Sequence, residues 1–166
     1  MSEIHVFTSA AFNYIPKVRM LFQSLRKHHP EWRLNLVLAD EMRPNVDLSQ
    51  EPFDRIWVAS DLGIPDWRGW AYCHSIVELA TAIKPFMLAQ LLKLPECQKV
   101  IYLDPDTVAF SRLDDIVMLL DNANIEYVKW DMNRSLMDVF SVMTKDQGRV
   151  MYDYVLGLYD FLDRMV

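Results

Sequence analysis

Asp104, Pro105 and Asp106 place two carboxylates two residues apart on a turn stiffened by a proline. Hard oxygen ligands of this kind suit Mg2+ or Mn2+, which complete their shells with water and substrate phosphate. A cation held there would neutralise a diphosphate. Two other chemistries fit the same letters. Asp and Pro are common turn formers, so the tripeptide alone is also ordinary turn chemistry. Asp104-Pro105-Asp106-Thr107-Val108 also matches the strand-plus-DxDx[TV] signature of haloacid-dehalogenase-type phosphatases, with a nucleophilic first Asp and an acid/base second. That scheme needs a glycine-rich flap and later lysine and acidic partners, and too little chain follows Val108 to supply them.

The elements that deliver the pair decide between these chemistries. Lys99 to Leu103 is the most continuous β-type run in the chain, typical of a strand buried on both faces of a parallel sheet. Ligands of open α/β sheets bind outside the carboxyl ends of such strands, where Asp104 and Asp106 fall. Upstream, Ile4 to Ser9 reads as a strand. A helix follows in which Val18, Leu21, Phe22 and Leu25 recur at i, i+3, i+4 and i+7, ending at His28-His29-Pro30. Leu34 to Ala39 is a second strand closing on Asp40 at its carboxyl end, and Arg55 to Ala59 is a third.

A loop rich in Asp, Gly, Pro and Trp is expected from Ser60 to Ala71, and two helices broken at Lys84-Pro85 between Ser75 and Leu94. Beyond Asp106 the pattern predicts a short strand over Thr107 to Phe110, a helix over Leu113 to Leu120 and a strand over Ile125 to Trp130. Met137 to Val142 is ambiguous, and Gly148 to Val166 has helical spacing. Alternating strands and helices make an α/β fold, a three-layer sandwich with a mostly parallel sheet and helices on both faces. Residues 1–166 read as one domain.

Composition narrows the partners. The chain has 166 residues, 52% of them hydrophobic, and a net charge of −6 from 17 basic and 23 acidic residues. That balance opposes a nucleic-acid surface of the usual basic kind. No window approaches a membrane span and no basic leader opens the chain, so a cytoplasmic protein is expected. Cys73 and Cys97 lack disulfide-framework or zinc spacing and read as half-buried thiols; His28 and His29 read as solvated helix-end residues. The aromatic cluster of Trp57, Trp67, Trp70 and Tyr72 reads as core and loop packing.

Three segments together resemble the GT-A glycosyltransferases, above all the retaining group that includes glycogenin and the lipopolysaccharide galactosyltransferases. They are Phe7-Thr8-Ser9-Ala10-Ala11-Phe12-Asn13-Tyr14, Glu78 to Phe86 containing Lys84-Pro85, and Lys99 to Asp106, in family order. The resemblance implies a Rossmann-like fold and a sugar nucleoside-diphosphate donor, typically a uridine one. Thr8, Ser9, Ala10, Asn13 and Tyr14 would lie near its base and ribose, and Lys84 near its ribose or phosphates. Asp104 and Asp106 would share a Mn2+ or Mg2+ ion, Asp104 also touching ribose. Members of that group are longer and carry an acceptor-binding half with a further metal-ligating His, whereas the last His here is His74. A shortened, non-catalytic nucleotide-sugar-binding domain is therefore the alternative to an active transferase.

Overall fold

The computed structural model describes residues 3–122, 125–128 and 140–144. Strand β1 (Glu3–Ala10) leads through a short 3-10 turn (Phe12–Tyr14) into helix α1 (Ile15–His28) and strand β2 (Arg33–Leu38). Pro16 stands in the first turn of α1, where its missing N–H costs nothing. Strand β3 (Arg55–Val58) is followed by helices α2 (Trp67–Tyr72), α3 (Ile76–Ala82) and α4 (Lys84–Leu92), then β4 (Cys97–Tyr102). Helix α5 (Asp114–Asn122) and strands β5 (Ile125–Val128) and β6 (Phe140–Thr144) follow.

The sheet order is β3-β2-β1-β4-β6-β5. The first four strands are parallel; β6 pairs antiparallel with β4, and β5 pairs antiparallel with β6 at the edge. Strand alternation splits the apolar residues into two cores. Val6, Leu34, Leu36, Leu38, Ile101 and Leu103 pack under Val18, Leu21, Phe22 and Leu25 of α1. Phe7, Val37, Val100 and Tyr102 face the other way, against Leu79 of α3 and Phe86, Met87 and Leu91 of α4. Helices thus cover both faces, as expected. The chain leaves β1 toward β2 on one side while β4 lies on the other, and that divergence opens a crevice at the strands' carboxyl ends.

Several expectations need correcting. The Ser60-to-Ala71 loop is partly helical: Trp67 and Trp70 sit three residues apart in α2, and Trp70 meets Phe86 edge-on at 5.7 Å. Asp66, with φ of 43°, turns the chain into that helix, so tertiary packing overrides the loop-like composition. Thr107 to Phe110 is not a strand, because its amides are taken elsewhere: Thr107 N–H by the Asp104 carbonyl and Ala109 N–H by Ser24 Oγ of α1. Cys73 is exposed and Cys97 buried. The ambiguous stretch Met137 to Val142 overlaps the start of β6, and the helical spacing of Gly148 to Val166 lies outside the described residues.

His29 is not solvated. Its ring is buried, stacked on Trp32 at 3.6 Å, with Nε2 accepting Leu113 N–H at 2.8 Å and Nδ1 facing Glu31 at 3.3 Å. Desolvation lowers its pKa, and an Nε2 that accepts must be unprotonated. The folded state therefore prefers the neutral ring. Its stabilisation is complete above the ordinary imidazole value of about 6.5 and is lost as pH falls from there toward the lowered folded value. Between pH 7.5 and 5.5 the thermal midpoint should fall further in the wild type than in His29→Gln, which keeps an acceptor and removes the titration. Equal falls would contradict the assignment.

Candidate functional site

The crevice is walled by what leaves β1, β2 and β4. Leu103 N–H continues the pairing to Phe7 O at 3.1 Å, and the chain then turns through Asp104 to Thr107, whose hydroxyl and amide both bond the Asp104 carbonyl, at 2.8 and 3.1 Å. The turn holds its two carboxylates differently. Asp104 Oδ1 accepts the Tyr102 hydroxyl and faces Lys84 Nζ at 3.4 Å. Lys84 Nζ also sits 4.3 Å from the centre of the Tyr102 ring. Burial first, and then the bond to Asp104, push the Tyr102 phenol above its ordinary pKa, so it stays a donor. Asp106 is exposed and makes no hydrogen bond among the described residues. It borders an open cavity of about 320 Å3 whose opposite wall is Pro16, Lys17 and Met20 of α1.

On the neighbouring strand the residues expected near a donor divide. Thr8 and Ser9 are buried in the sheet; the Ser9 hydroxyl is committed to the Ala80 carbonyl of α3, while Thr8 Oγ1 has no hydrogen-bond partner among the described residues. Ala10 is buried, and its carbonyl accepts Ala39 N–H at 3.0 Å. Asn13 and Tyr14 are exposed at the start of α1, where Lys17 Nζ lies 4.4 Å from the Tyr14 ring centre. Asp40, just past β2, fixes the same loop: its Oδ2 accepts Phe12 N–H at 3.2 Å, and its buried Oδ1 has no hydrogen-bond partner among the described residues. A buried carboxylate oxygen without a donor is costly unless a ligand supplies one.

The structure thus brings Lys84, Asp104 and Tyr102 into contact and puts Asp106 in the same turn. Tyr102 was readable in principle, since residues i and i+2 of a strand share a face and so do Tyr102 and Asp104. Among the described residues no group of three or more His, Cys, Asp or Glu side chains could hold a metal ion. The donor set still fits a hard divalent cation: among the described residues Asp104 keeps one carboxylate oxygen without a protein donor and Asp106 keeps both, and Mg2+ and Mn2+ habitually complete their shells with water and phosphate. No helix among the described residues is long and apolar enough to cross a membrane.

Comparison with known proteins gives two answers. By fold, the chain is similar to the glycosyltransferase GlyE of Streptococcus pneumoniae TIGR4, with a TM-score of 0.59 at 16% identity over 100% of this chain and 40% of that one. The apo form of GlyE gives 0.58 at 15% identity, over 96% and 39%. The architecture is a Rossmann-like glycosyltransferase fold. By sequence, the Melibiase family model matches residues 93–166, less than half of the chain. The bifunctional alpha-galactosidase/sucrose kinase AgaSK of Mediterraneibacter gnavus is 52% identical over 52 residues, 31% of this chain and 5% of that protein. Alpha-galactosidase 1 of Pediococcus pentosaceus is 41% identical over 70 residues, 41% of this chain and 10% of that one. The chain therefore spans only a small fraction of these curated relatives.

Proposed function

We propose that the chain binds a sugar nucleoside diphosphate, typically a uridine one, at the β1–β4 crevice and works as the donor half of a metal-dependent glycosyltransferase. The observation that carries this reading is the Asp104-Pro105-Asp106 turn at the switch point, with Lys84 beside Asp104. Asp104 and Asp106 would hold Mn2+ or Mg2+, whose chemistry is to neutralise the charge that builds on a departing diphosphate. Lys84 is within reach to leave Asp104 and meet a phosphate oxygen. Asp40 Oδ1 would accept an N–H from the base, and the exposed Asn13 and Tyr14 border the ribose side.

Lys84→Met should weaken binding of uridine diphosphate by about tenfold or more, the cost of a lost charge-assisted hydrogen bond of roughly 1.5–3 kcal/mol. Titration calorimetry measures it. Unchanged affinity would remove Lys84 from the site.

A second reading has its own observation, the Melibiase match over residues 93–166. On that reading the second half of the chain carries glycoside-hydrolase sequence, and a pair of carboxylates would cleave an α-galactoside. Much of that stretch lies outside the described residues. In sequence, Asp131 comes three residues after the end of β5, the strand-then-carboxylate pattern that also marks Asp104. One experiment separates the readings: incubate the chain with UDP-galactose and Mn2+, and separately with nitrophenyl α-galactoside. Release of uridine diphosphate supports the transferase, release of nitrophenol the hydrolase. Donor binding with neither release leaves a nucleotide-sugar-binding domain.

A further inference from the structure

We infer that Tyr102 is a positioning residue that presets Asp104 as the fixed cation ligand of the turn, while Asp106 is the adaptable one. The inference rests on the cation-site reading above. A carboxylate offers about four lone-pair directions on its two oxygens. Tyr102 and Lys84 both address Oδ1, so the other oxygen is the one left to an incoming cation. The phenol that does the holding is itself immobile. Tyr102 is 6% exposed, its ring tilts against Phe7 at 5.1 Å, and the Lys84 ammonium covers it. Strand β4 anchors the backbone on both sides, through β1 and β6.

Asp106 differs in each respect: it is exposed, follows a turn rather than a strand, and has no hydrogen-bond partner among the described residues. One ligand is therefore oriented before the cation arrives and the other is ordered by it. Fixing a ligand in advance removes part of the entropic cost of binding. Outer-shell partners of metal ligands are typically worth about 10- to 100-fold in metal affinity. That loss is expected of Tyr102→Phe, which removes the hydroxyl and keeps the ring.

The test is a Mn2+ titration followed by electron paramagnetic resonance, without nucleotide, on the full chain and two variants. Tyr102→Phe should bind Mn2+ about 10- to 100-fold more weakly than the wild type, with its metal-free thermal midpoint nearly unchanged. Phe7→Leu loosens the packing of the same ring without touching the hydroxyl. It should lower the metal-free midpoint and weaken Mn2+ binding much less than Tyr102→Phe does, because the hydroxyl that holds Asp104 is still present. Unchanged affinity in Tyr102→Phe, or an equal loss in Phe7→Leu, overturns the positioning role while leaving the cation site intact. A wild-type chain that takes up no Mn2+ overturns the cation site and the inference together.

Discussion

Asp106→Ala is expected to abolish the thermal stabilisation that Mn2+ and uridine diphosphate together confer on the wild type. Ligand at a hundred times its dissociation constant stabilises the folded state by about 2.7 kcal/mol, a rise of roughly 5–10 °C in the midpoint for a domain of this size. In the variant the rise should vanish. Asp106 is exposed and makes no hydrogen bond among the described residues, so its removal should leave the ligand-free midpoint nearly unchanged. The effect therefore reads binding and not folding. A rise of wild-type size in Asp106→Ala, measured by scanning fluorimetry, would contradict the metal site.

Asn35→Leu should produce the largest loss of stability. Asn35 is 2% exposed in the centre of β2, in the polar seam of the sheet. Its Nδ2 donates to Val6 O at 3.2 Å and Arg33 O at 3.1 Å, and lies 3.4 Å from His5 Nδ1. Its Oδ1 accepts the Trp57 indole N–H at 3.2 Å, tying β3 to β2 beneath the Arg55 guanidinium, which stacks 3.6 Å from the Trp57 ring centre. Leucine keeps the branching at Cγ but is bulkier, and it strands those partners. Each buried group left unpaired costs about 1–3 kcal/mol, so a loss of about 2–4 kcal/mol and a midpoint lowered by roughly 5–15 °C are expected. A midpoint equal to that of the wild type would show that the seam is solvated.

The sheet was legible because its strands are apolar on both faces and its helices are not. The α1 stripe of Val18, Leu21, Phe22 and Leu25 is buried as the spacing requires. The helix break at Lys84-Pro85 falls where the proline demands it, with α4 opening at Lys84. What escaped was set by contacts between segments distant in sequence. His29 looked like a solvated helix end because nothing local reveals that Leu113, 84 residues away, donates to it. Thr107 to Phe110 has strand propensity, but Ser24 of α1 takes the Ala109 amide instead. Asn35 sits in an apolar run as a lone polar letter, and its partners come from three other positions.

The site divided in the same way. Asp104 and Asp106 were visible as a motif, whereas Lys84 was named only through family resemblance; it lies 3.4 Å from Asp104. Tyr102 was concealed by its strand, where an aromatic residue reads as core. The similarity of residues 93–166 to the Melibiase model was not readable from helical and strand spacing, and only comparison with other sequences reveals it.

The central claim is a cation-dependent nucleotide-diphosphate site at the β1–β4 crevice. Titration calorimetry of uridine diphosphate into the wild-type chain, once with Mn2+ and once with chelator, tests it most directly. Saturable binding with Mn2+ that weakens by at least an order of magnitude under chelator is the predicted result. No binding in either case, or equal binding in both, would contradict it.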